Sequence, residues 1–93
     1  MKTLPPEIEV LVDAAGGVPD PYDSELQHRR YYHQDLLDLH DDELDAERVM
    51  VGIAKAALLR NRYLSCDREL GWFTDRLAAV LAEITRRQRR PRR

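Results

Sequence analysis

Along the C-terminal half of the chain, apolar residues recur at steps of three and four. In DRELGWFTDRLAAVLAEI they are Leu70, Phe73, Leu77, Val80 or Leu81, and Ile84. That spacing stacks them in one stripe along a helix, as a buried seam requires. The preceding stretch carries Leu44, Val49, Met50, Ile53, Ala54, Ala57 and Leu58, an arc wide enough to meet more than one neighbour. Between the two lies a short connection, 61–66, so they are expected as antiparallel neighbours. Ser65 is the expected cap of the last helix, with Asp67 and Glu69 in its first turn.

The upstream helix has a well-marked start. With His40 or Asp41 as cap, Leu39 and Leu44 can clasp across the entry and Glu43 can close back on it. Asp41, Asp42, Glu43 and Asp45 then sit at the positive end of the helix dipole. Further back, Ser24 and Gln27 have the spacing of a capping box. They open a helix that places Tyr32, Leu36 and Leu39 on one side. GGVPDPYD before it is a linker. In the first segment Ile8, Val10 and Val12 alternate weakly, as in a strand. Ile8, Leu11, Val12 and Ala15 also share a helical face, bounded by Pro5-Pro6 and Gly16-Gly17. Without a second strand to pair with, helix is the better reading. The expectation is an all-α, four-helix domain organised around a C-terminal antiparallel hairpin. Its helices fall near 5–15, 25–38, 41–61 and 66–88, in a single domain 1–90 followed by a frayed basic tail, 91–93.

Composition narrows the class. Ninety-three residues, 43% apolar and 34% charged, describe one small globular domain with a modest core, for which a partner can supply part of the stability. No stretch approaches the roughly 20 apolar residues of a membrane span, and the N-terminus lacks the apolar core of a secretion signal. A single cysteine, Cys66, makes no internal disulfide, and a cytoplasmic setting is expected. The net charge of −2 conceals a strong polarity. Residues 1–47 carry three basic and thirteen acidic side chains, and residues 48–93 carry twelve basic and four acidic ones.

Candidate chemistry is sparse. Arg86, Arg87, Arg89, Arg90, Arg92 and Arg93 could bind nucleic-acid phosphates. The same fold would set the root of that cluster beside Asp41, Asp42, Glu43 and Glu47, where it balances charge instead, and the cluster lacks base-stacking aromatics. Trp72 falls off the seam, so it either packs on the first two helices or anchors a contact with another chain; Tyr31, Tyr32 and Tyr63 divide the same way. Gly52, within a helix, costs roughly 1 kcal/mol relative to Ala and marks a close approach. His28, His33 and His40 lack the helical spacing of metal ligands, and Cys66 has neither a base nor an orienting group close in sequence. No catalytic residue, metal or cofactor is expected. The reading is a non-catalytic factor that binds another protein, a second copy included, with Trp72, Tyr31 and Tyr32 as anchors. Asp35, Asp38, Asp41 and Asp42 would form a polar docking face. The alternatives are a nucleic-acid factor acting through its arginines, or an acidic nucleic-acid mimic acting through its N-terminal half. No membrane partner is expected.

Overall fold

The computed structural model describes residues 4–61, 63 and 66–89. Four α-helices, α1 (Pro6–Ala14), α2 (Glu25–Tyr31), α3 (Asp41–Arg60) and α4 (Asp67–Gln88), are joined by a 3₁₀ helix, Gln34–Asp38, between α2 and α3. The domain is all-α, and no strand occurs among the described residues. None of the described helices is long and apolar enough to cross a membrane. The helices α3 and α4 form the expected hairpin. Its register is fixed at the far end, where Arg87 Nη1 donates to Asp41 Oδ1 at 2.8 Å, so the basic end of α4 lies against the acidic start of α3. Ser65 and the tail 91–93 fall outside the described residues; Cys66 is the N-cap residue of α4.

Pro6 opens α1, whose Ile8 and Val12 turn inward with Ala15 onto Val51, Ala54 and Leu58 of α3 and Phe73 of α4. The helix closes at Gly16 and Gly17, both with positive φ, and Gly17 N–H donates to Val12 O at 2.9 Å. Arg30 of α2 reaches over this turn, its Nη2 donating to Ala15 O and Gly17 O at 3.1 and 2.9 Å. At the start of α3, the His40 N–H donates to Glu43 Oε1 at 2.9 Å. Leu39 packs on the cluster of Leu36, Leu44 and Val80, as the clasp required.

Two features depart from the pattern read in the sequence. First, the segment 25–38 is not one helix. Tyr31 ends α2, His33 adopts a left-handed φ of 63°, and the chain restarts as the 3₁₀ turn. The break is favoured by tertiary contacts that a straight helix would forgo. It buries Leu36, brings Asp35 to α4, and frees Tyr31 O to accept the Trp72 indole N–H at 3.1 Å. Second, the inward face of α4 turns past the predicted seam. Phe73 and Val80 are buried and Leu70, Leu77 and Ile84 pack half-buried on the core, but Trp72, Arg76 and Glu83 are buried beside them. Leu81 is 46% exposed.

Arg76 explains that turn. It is 1% exposed, among the largest fully buried side chains. Nη1 and Nη2 donate to the two oxygens of Asp35 at 2.7 and 2.8 Å, and Nε donates to Glu47 Oε2 at 2.8 Å. One guanidinium thus joins α4 to the 3₁₀ turn and to α3. Burial disfavours its charge, but the hydrogen bonds and charges of Asp35 and Glu47 outweigh that and hold its pKa above the ordinary arginine value. Asp35 mirrors it: burial pushes the carboxyl up, and Arg76 brings it below the usual aspartate range.

Removing Arg76 would leave two carboxylates desolvated without their partner. Arg76→Ala is expected to cost roughly 3 kcal/mol in urea unfolding. Replacing Arg76, Asp35 and Glu47 together with Met, Leu and Leu is expected to recover most of that loss.

Candidate protein-interaction site

Where α2 breaks, the chain leaves a groove of ≈ 420 Å³ against the first half of α4, lined by Val18, Tyr31, Tyr32, His33, Arg68, Trp72 and Asp75. Trp72 forms part of its wall and is only 7% exposed. Its ring meets Phe73 edge-on at 5.0 Å and His33 at 5.3 Å. The Arg30 and Arg76 guanidinium carbons lie 4.9 and 5.6 Å from its centroid, distances at which a cation is drawn to the ring. Trp72 therefore packs on its own chain, held on several sides, and the partner-anchor alternative loses most of the surface it needs. Tyr31, half-buried, stands edge-on to Tyr32 at 5.0 Å. Tyr32 is 54% exposed, which makes it the aromatic side chain here with surface to offer.

His33 gives the groove its polar character. Burial lowers its imidazole pKa and the Arg76 charge lowers it further, against the smaller opposing pull of Asp35 and Asp75, so the neutral ring is favoured at neutral pH. Its Nδ1 is buried with no hydrogen-bond partner, a costly condition for a polar atom. The left-handed backbone of a residue other than glycine adds local strain.

The predicted acidic docking face is largely engaged within the chain. Asp35 belongs to Arg76, Asp38 pairs with Arg29 at 2.8 Å, and Asp41 pairs with Arg87 at 2.8 Å. Asp42 accepts the Glu43 N–H at 3.0 Å. Asp38, Asp41 and Asp42 remain exposed, but they do not converge on the aromatic groove.

The arginine cluster is likewise partly neutralised. Arg86 and Arg87 both bind Glu83, through Arg86 Nε to Oε1 at 2.9 Å and Arg87 Nε to Oε2 at 2.8 Å; Arg86 Nη2 also contacts Oε2. Arg87 Nη2 further donates to Leu36 O at 3.1 Å. The Arg86 and Arg87 hydrogen bonds push the Glu83 carboxyl down to about 2. Arg89 is exposed, while Arg90, Arg92 and Arg93 lie outside the described residues. Cys66 is buried, with its thiol directed at Leu58 O and Asn61 O at 3.6 and 3.7 Å, and burial raises its pKa; thiolate chemistry is disfavoured there. Among the described residues, no three His, Cys, Asp or Glu side chains group as metal ligands would.

Sequence reasoning missed Arg76, Glu83, Arg30 and His33. The available signal was positional: Arg76 and Glu83 are seven apart and fall between Trp72, Phe73 and Val80 on one helical face, so charged residues occupy apolar-phase positions. Searches against protein-family models, curated proteins and solved structures return no match for this chain.

The Glu83 clamp makes stability depend on pH. Its folded-state carboxyl lies below the ordinary value of 4.5, so the folded chain binds fewer protons than the unfolded one between the two values. Its contribution is complete above the ordinary value and is lost as pH falls toward the folded one. Glu83→Gln should lower the thermal midpoint at neutral pH. The gap between variant and parent should narrow on acidification below about pH 4, followed by circular dichroism melts.

Proposed function

We propose that this protein is a non-catalytic helical interaction factor that receives another protein in the groove at Tyr31, Tyr32 and His33. The observation that carries this reading is the exposed Tyr32 ring at a groove walled by Tyr31, His33 and Trp72. An aromatic side chain with a polar tip, set against a fixed hydrophobic surface, is what hot spots of binding are built from. Arg68 and Asp75 line the same groove with opposite charges, which favours a partner segment presenting both signs over a polyanion. The engagement of Arg86 and Arg87 with Glu83 and Asp41 also weighs against the phosphate-binding alternative. The pairing of Asp35, Asp38 and Asp41 with arginines of this chain weighs against an acidic mimic.

A photoreactive phenylalanine analogue at position 32, expressed in native cells, should crosslink one partner protein. Tyr32→Ala and His33→Ala should each weaken binding to that purified partner by about tenfold or more while leaving helicity unchanged. Undiminished binding by both variants would overturn the groove as the docking site. Duplex DNA binding that is salt-sensitive and lost on deleting residues 89–93 would favour the nucleic-acid reading instead.

A further inference from the structure

A second groove follows the seam between α3 and α4. Asp41, Leu44 and Asp45 line one bank, and Ile84, Arg87 and Gln88 the other. Seven-residue steps along each helix extend this face. From Asp41 they reach Arg48 and Lys55, from Asp45 Gly52 and Leu59, from Ile84 Leu77 and Leu70, and from Gln88 Leu81 and Thr74. The second helix thus repeats Leu70, Thr74, Leu77, Leu81, Ile84 and Gln88 at alternating steps of four and three, the pattern of a helix-packing seam. Leu70, Leu77 and Ile84 pack half-buried on this chain's own core, whereas Leu81 is 46% exposed and Leu59 48%. Next to them on α3, Val49 and Ile53 are each 43% exposed. The hairpin thus leaves these apolar side chains uncovered on this side.

Gly52 bears on what fills that side. It lies within α3, and a Cβ built on it meets nothing within 4 Å, so no contact inside this chain calls for glycine there. A backbone approaching from outside would. We propose that the approaching backbone belongs to a second copy of this chain, two hairpins stacking face to face into a four-helix bundle with the two-fold axis parallel to the helices.

Charge selects this occupant and this arrangement. The Arg87–Asp41 pair puts the acidic start of α3 and the basic end of α4 at the same end of the molecule. An axis along the hairpin lays α3 of one copy antiparallel to α4 of the other. Asp42 then comes beside the partner copy's Arg89, next to Asp45 and Arg86, which already pair with Arg48 and Glu83 of their own chains, and the match occurs twice by symmetry. The same superposition brings the Val49–Gly52 surface of one copy onto Leu77 and Leu81 of the other. Gly52, Ala56, Ala78 and Ala82 are small enough to let the helices approach. An axis across the hairpin would instead set the acidic start against Arg60, Asp67 and Glu69, a mixed surface. This pairing lies away from the Tyr32 groove and goes beyond the function proposed above.

Sedimentation equilibrium of the full chain over a range of concentrations tests the proposal. The parent chain is expected at twice the monomer mass. Leu81→Arg should shift it to monomer with helicity retained. Gly52→Leu, whose Cβ has no neighbour within 4 Å in its own chain, should also dissociate it, and covers the case in which Leu81→Arg unfolds. Asp42→Arg should weaken association by about tenfold or more, and adding Arg89→Glu in the same chain should restore it. A parent that stays monomeric at every concentration, or a dimer indifferent to Gly52→Leu and to the charge exchange, would overturn the proposal.

Discussion

One guanidinium organises this domain. Arg76 is buried where α4, the 3₁₀ turn and α3 meet, and it holds a carboxylate from each of the other two elements. Arg30 stands on the other flank of the cluster, near the Trp72 ring, where burial and then repulsion from Arg76 lower its pKa. Two cations, two carboxylates and an indole therefore share a small desolvated volume with their charges balanced. A buried ion pair of this kind contributes little net stability compared with an apolar core of equal volume. Its effect is directional: Asp35 reaches Arg76 in a bidentate pair from a turn that begins where α2 has ended at Tyr31. That arrangement accompanies the left-handed turn at His33, exposes Tyr32, and opens the aromatic groove. The shape of the candidate site thus follows from the cluster rather than from the helices that flank it.

Much of the fold could be read from periodicity. Helix starts at Pro6, Ser24 and Asp41 were marked by local chemistry, and the short connection 61–66 made the hairpin antiparallel. The charge polarity of the two halves reflected a real contact, Arg87 with Asp41. The sequence pattern failed where tertiary contacts overrode local preference. Nothing between Glu25 and Asp38 breaks a helix: neither glycine nor proline lies in that stretch, and the interruption depends on a residue about 40 positions away. The inward face of α4 was read too narrowly for a related reason. Counting apolar residues as inside finds Phe73 and Val80 but leaves Arg76 and Glu83 out. Both charges are buried because partners on other elements satisfy them. That information is not local.

The site readings divided along the same line. Trp72 was expected either to pack within the chain or to anchor a partner, and its burial under Arg30 and against Phe73 puts it largely in the first role. The arginines near the C-terminus looked like a phosphate-binding surface in one dimension. In three dimensions, Arg86 and Arg87 face Glu83 and Asp41. What remains open on the surface is an aromatic groove beside the first half of α4 and a set of exposed apolar side chains along the hairpin, neither legible as a motif.

The central claim is that Arg76 and Asp35 act as one unit that fixes the path of the chain. A double-mutant cycle of Arg76→Ala, Asp35→Ala and the combined variant in urea unfolding measures that coupling without assigning it to either residue. The account predicts a coupling of roughly 2 kcal/mol. Additive losses, with coupling below about 0.5 kcal/mol, would contradict it.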